Sequence, residues 1–194
     1  MSKAPASPPV AALALTPAQL GVLASSTRLA IIQRLDVDGQ ASARELAERL
    51  GRPVTALYHH MVQLENAGLI AVVGQRATGR RPEAVYAVVS RQLSSADAMR
   101  TASGRRNLAK VAASAVGASL RAFAAMVTSA AARFEGPQRN CTVRHLAFRA
   151  DAARLARLNA LIDALEQAGL EAGDAGDSML MTVVLTQVPA RRGE

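Results

Sequence analysis

Two histidines stand side by side in "TALYHHMVQLENAGLI", residues 55–70, in a chain that has only three. Paired histidines can chelate a metal, and a tyrosine beside them, Tyr58, invites an acid–base reading. Helical spacing argues against both. A chelating pair on a helix needs i,i+3 or i,i+4 separation, whereas adjacent residues diverge by about 100° around the axis. His59 and His60 therefore do not share one ligand face. Cys141 and His145 suggest a nucleophile and its base, but on a strand four residues span roughly 13 Å, far beyond hydrogen-bond reach. Cys141 is the single cysteine, so an intramolecular disulfide and a CxxC zinc site are both excluded, in keeping with a reducing cytoplasm. The chain has no G-x-S-x-G, no Gly-rich phosphate loop and no carboxylate pair in a plausible cleft. An enzyme is not expected, and neither is a cofactor.

Charge points elsewhere. The net charge is +8 with a pI near 11.1. Residues 1–91 hold ten basic and six acidic groups and residues 92–194 hold thirteen and nine, so each half is +4 and no polybasic tail explains the excess. A basic folded surface implies a polyanion partner, nucleic acid first and an anionic membrane second. Nearly all the cations are arginine, with lysine only at 3 and 110. No apolar run approaches the roughly 20 residues of a membrane span. Half the chain is apolar yet only 3% is aromatic, which favours closely packed Leu, Val, Ile and Ala helices. Residues 1–15 read as a disordered lead-in, only faintly like a signal peptide.

The elements that must position these residues follow. Thr16-Pro17 is a helix start, and "STRLAIIQRLDV" is a second helix that stops at Asp38-Gly39. In "ASARELAERLG", Ser42 and Glu45 make an S-x-x-E capping box and Gly51 supplies a left-handed stop. Pro53 opens the next helix, whose inward stripe is Leu57, His60/Met61 and Leu64 and which ends at Gly68. "LIAVVG" and "EAVYAVV" are strands around a basic tip, "QRATGRRP". Helix, helix, short turn, helix and β-hairpin is the order of a winged helix-turn-helix over residues 16–91. The second helix of that motif enters the major groove. With Leu57, Met61 and Leu64 inward, Thr55, Tyr58, His59 and Val62 face out. Thr55, Tyr58 and His59 are the candidate base-reading residues. Arg52 at the helix N-terminus is placed for a phosphate, and Arg76, Arg80 and Arg81 for the backbone or minor groove beside the wing.

Residues 92–106 read as a polar connector. A long helix is expected from Asn107 to Phe134, then a strand in "CTVRHLAF", an amphipathic helix capped by Asp151, and a strand in "SMLMTVVLTQV". The fold class is thus α+β, mainly α: a winged helix-turn-helix followed by a long helix and a small β-α-β unit. Residues 92–194 would serve as a dimerisation platform or as a pocket for an unidentified small-molecule effector.

The combination "LASSTRLAIIQRL", "ASARELAERLG" and "VTALYHHMVQLENAGLI" resembles the ArsR-like winged helix-turn-helix regulators. The matching residues are Leu23, Ala24, Arg28 and Leu29; Glu45, Leu46 and Ala47; and His60, Met61, Leu64, Ala67, Gly68 and Leu69. The resemblance covers about residues 17–90. It implies a cytoplasmic, homodimeric repressor that binds a near-palindromic operator in double-stranded DNA. Two departures stand out: Pro53 replaces the usual Ser at the helix start, and Tyr58-His59 replaces Ser-Arg. The segment has no cysteine, which excludes thiolate metal sensing. The competing classes are a nonspecific architectural DNA binder and a winged-helix protein-interaction module.

Overall fold

A computed structural model describes residues 12–77, 82–144, 146–171, 183–185 and 187. Their contacts fall into two units divided between Leu120 and Arg121.

The first unit begins with strand β1 (Leu13–Ala14), helix α1 (Pro17–Leu23) and helix α2 (Ser26–Asp38). Strand β2 (Ala41–Ser42), helix α3 (Ala43–Leu50) and helix α4 (Val54–Asn66) follow. Strands β3 (Ile70–Arg76), β4 (Glu83–Val88) and β5 (Leu93–Ser94) complete the β structure, and helix α5 (Ala102–Val127) leads out of the unit.

Capping chemistry sets the helix boundaries. Thr16 accepts from the Gln19 amide, and the Gln19 side chain returns to the Thr16 backbone. Ser42 and Glu45 form the same reciprocal pair at α3, so each box satisfies two N–H groups that a helix start leaves open. Helix α2 ends at Gly39 (φ 76°) and α3 at Gly51 (φ 61°), both in the positive-φ region that a Cβ disfavours.

The three-stranded sheet has the order β2-β4-β3, antiparallel throughout. Strand β3 pairs with β4 from Ile70↔Val88 to Arg76↔Glu83, with an irregularity between Val72 and Gly74. One face of this hairpin and helices α1 to α4 enclose a core of Leu20, Ile31, Leu35, Leu46, Leu57 and Leu64, each at most 1% exposed. This is the winged-helix order expected from periodicity, with β2 added. Strand β2 is only two residues long, too short for any alternation to show.

Three expectations need correction. Residues 13–15 are not a disordered lead-in. Leu13 N–H donates to the Gln92 carbonyl (2.9 Å) and Leu15 N–H to that of Ser94 (2.8 Å), making β1 parallel to β5, and Leu15 is buried.

The long helix runs over Ala102–Val127 rather than 107–134. The Thr101 hydroxyl accepts from the Gly104 amide (2.9 Å) and so starts the helix inside the supposed connector. The first half of α5 also packs on the winged-helix core through Leu108 and Val111. Asn107 donates to the Pro17 carbonyl (2.9 Å) and Ser114 to that of Ala24 (2.6 Å). For this reason the contacts divide the chain at residue 120 and not at 91. An 18-residue stretch of α5 has a mean hydropathy of 1.3, long and apolar enough by length and composition to cross a membrane. The sequence expectation of no such stretch is corrected in that respect. The hydrogen bonds from Asn107 and Ser114 nevertheless tie its first half to the winged helix.

The third correction concerns the β-α-β unit. In the second unit, helix α6 (Ala152–Glu171) is present and Asp151 caps it, accepting from the Arg154 amide (2.8 Å). The described residues of 141–148 form no strand, nor do 183–185 and 187, and the rest of 178–188 lies outside the described residues. A strand exists only against a hydrogen-bonding neighbour, and no described segment supplies one.

Candidate nucleic-acid interface

Helix α4 has two faces of opposite character. Leu57, Met61 and Leu64 are buried, while Thr55, Tyr58, His59 and Val62 are exposed, Tyr58 at 51% and Val62 at 50%. Spacing alone led to that division. Residues 55, 58, 59 and 62 fall on one stripe of a 3.6-residue helix, opposite the stripe that anchors it.

The start of α4 is electrostatically open. Pro53 stands at the N-cap and makes no side-chain cap hydrogen bond. The Val54 and Thr55 amides therefore stand without the hydroxyl that caps α1 and α3, while the Ala56 amide donates to the Pro53 carbonyl (3.0 Å), and with the helix dipole the two open amides favour an anion. Arg52 is exposed directly beside them and has no ion pair among the described residues. Its own amide donates to the Ala47 carbonyl (2.9 Å), which holds the turn between α3 and α4.

Two side chains that the sequence reading did not single out as functional hold α4 in place. Arg28 donates from Nε to the Val22 carbonyl (2.5 Å) and from Nη1 to Gln63 Oε1, joining the end of α1 and the body of α2 to α4. Gln19 donates from Nε2 to the Ala67 carbonyl (2.9 Å) at the far end of the same helix. Arg28 lies in the "STRLAI" pattern quoted for the resemblance, and Gln19 is readable as the third residue after Thr16. Their contacts are 35 and 48 residues away in sequence, which no local pattern reveals.

The histidines part company as helical geometry requires. His59 is exposed and His60 half-buried, although their rings meet edge-on at 5.9 Å. His60 Nδ1 is buried without a hydrogen-bond partner. Burial lowers its pKa, and the charges of Arg28, His59 and Arg52 push in the same direction, because each disfavours a further cation. Among the described residues no three of His, Cys, Asp and Glu converge on a point.

At the wing, Arg76 is half-exposed and ion-paired through Nη1 with Glu45 Oε1. The other oxygen of Glu45 accepts from the Ser42 amide (2.8 Å). That hydrogen bond, with the Arg76 contact, holds the Glu45 carboxyl below its ordinary value despite partial desolvation. Arg76 thus fastens β3 to the start of α3, a bracing role absent from the sequence reading. Arg80 and Arg81 lie outside the described residues.

Residues 23–73, from the end of α1 into β3, match the family described as helix-turn-helix domain. No curated protein matches the chain. The matched segment contains α3, the turn at Gly51–Pro53 and α4 with its exposed face, and a helix-turn-helix domain supports a DNA-binding, transcription-regulatory role for this chain.

Proposed function

We propose that the protein is a sequence-specific transcriptional regulator of the ArsR-like type, a homodimeric repressor acting on a near-palindromic operator in the cytoplasm. The observation that carries the reading is the exposed stripe of α4 beside its uncapped, Arg52-flanked N-terminus. Thr55, Tyr58 and His59 read base edges in the major groove. A backbone phosphate sits on the open amides of α4 and is neutralised by Arg52. Arg76, Arg80 and Arg81 lie along the adjacent backbone or minor groove, Arg76 while also bracing the wing through Glu45. The winged helix over residues 16–91 is the DNA-binding domain, with the first half of α5 packed on it, and the rest of the chain is the dimerisation region, which an unidentified effector would use to change operator affinity. Apolar, half-exposed α4 residues such as Val62 suit contact with a thymine methyl.

A salt-dependent gel shift on the DNA upstream of the protein's own coding sequence tests this. The reading expects one discrete complex that survives a large excess of random DNA. Equal affinity for random DNA would leave an architectural binder, and no binding at low salt would leave a protein-interaction module.

A further inference from the structure

Strand β4 runs past the start of α3. Ser42 stands opposite Val85, and the same ladder carried two residues further sets Arg44 against Glu83. The Glu83 side chain is only 19% exposed. Its Oε1 accepts from the Arg44 amide (3.2 Å), and its Oε2 lies 4.0 Å from Arg44 Nε. Side chains alternate along a strand, so Glu83 shares the face of β4 with the buried Val85. Opposite Glu83 on β3 stands Arg76, which is paired with Glu45.

One extra residue brings Arg76 to that face. Pairing steps from Val72↔Tyr86 to Gly74↔Val85, so Val73 is additional on β3. In an uninterrupted ladder Gln75 would oppose Glu83 and Arg76 would turn to the other face. With Val73 inserted, the last pair before the wing tip holds the first turn of α3 from both strands. Each acid serves two purposes there. Glu45 takes the Ser42 amide (2.8 Å) on one oxygen and Arg76 on the other. Glu83 takes a first-turn amide of a helix that does not belong to its own strand, a charge-assisted bond that the helix dipole reinforces. Residues 71–76 of β3 are all exposed, and towards the tip from Val85 no described side chain of β4 is buried. These polar contacts, rather than apolar packing, therefore set the angle of the outer hairpin.

We propose that Glu83 is a positioning residue: with Arg76 it clamps the stem of the wing to the start of α3 and so fixes where the wing tip meets the DNA backbone. The inference rests on the DNA-binding reading above and adds Glu83 and Arg44 to the residues that reading uses. A wing held in place before binding loses less conformational freedom on the DNA than a loose one, which favours affinity.

The sign of the effect separates this role from plain electrostatics. Removing a carboxylate beside a DNA-binding surface tightens binding through charge alone, whereas loss of the clamp weakens it. Anisotropy titrations of the full chain on the duplex upstream of its coding sequence, at one salt concentration and below the unfolding midpoint of every variant, read that sign. Glu83→Ala should raise Kd about tenfold. Glu83→Gln keeps an oxygen for the Arg44 amide and should bind more tightly than Glu83→Ala. In an Arg80→Ala/Arg81→Ala background, Glu83→Ala should cost little more, because the contacts it aims are already gone. Wild-type or tighter binding by Glu83→Ala overturns the clamp and leaves the DNA-binding reading standing. A full loss from Glu83→Ala in the background without the tip arginines also overturns the clamp, since the residue then acts on the fold at large. A wild-type chain that binds no duplex overturns the DNA-binding reading and the clamp with it.

Discussion

Tyr58 projects from the exposed stripe of α4 one position before His59, where a ring can reach a base edge without disturbing the Leu57–Met61–Leu64 anchor. Tyr58→Ala should cost roughly 1–3 kcal/mol of binding on the preferred operator and distinctly less on random DNA. Equal losses on both in a competition titration would show that the side chain only positions the backbone. His60, its neighbour but one, makes a prediction about stability. Its folded pKa lies below the ordinary 6.5, first through burial and then through Arg28, His59 and Arg52. The unfolded chain therefore takes up the proton that the folded chain resists. Stability from this group is complete above pH 6.5 and falls as pH drops from 6.5 towards the folded pKa, below which it levels off. Urea midpoints across that range should decline for the wild type and flatten for His60→Gln. Glu45 also has a depressed pKa, here because hydrogen bonds from Ser42 and Arg76 favour its charged form. Its contribution is present above the ordinary 4.5 and is lost only as pH falls further, so the two windows separate on one titration.

At the scale of elements, the orientation of α4 depends on groups outside it. Arg28 bridges the Val22 carbonyl and Gln63, and hydrogen bonds to a charged donor contribute roughly 1.5–3 kcal/mol each when a half-buried partner is left open. Arg28→Ala should lower unfolding free energy by about that amount and weaken binding to all DNA sequences alike, since it moves the reading helix without touching a base. Unchanged stability would mean that the bridge is not formed in solution. Helix α5 has a comparable fixed point at Gly104, where a Cβ would come within 1.9 Å of the Ala98 carbonyl oxygen. That oxygen is backbone and has no rotamer to give way. Gly104→Ala should destabilise by about 1–3 kcal/mol, as overpacking does, read as a lower denaturant midpoint with an unchanged slope. A neutral substitution would show that the turn at Ala98–Arg100 shifts freely.

At the scale of the whole molecule, the basic surface predicts salt-dependent association. Arg80→Ala or Arg81→Ala should each reduce the slope of log affinity against log salt by about 1, with sequence preference retained. An unchanged slope would remove the wing tip from the interface.

Much of the winged helix was legible in the sequence, because its information is local. Apolar spacing sets the inward stripe of α4 and hence, by elimination, the outward residues Thr55, Tyr58, His59 and Val62. Ser42 with Glu45, Thr16 with Pro17, and the glycines at 39 and 51 punctuate the helices through contacts within four residues. What only the tertiary structure decided depends on distant partners. It seats β1 against β5, gives Arg28 and Gln19 to α4, commits Arg76 to Glu45, and draws the first half of α5 onto the winged helix. It also leaves the apolar run at 141–148 without strand structure among its described residues. Alternation records a residue's readiness to pair, but a strand exists only where another backbone supplies the hydrogen bonds.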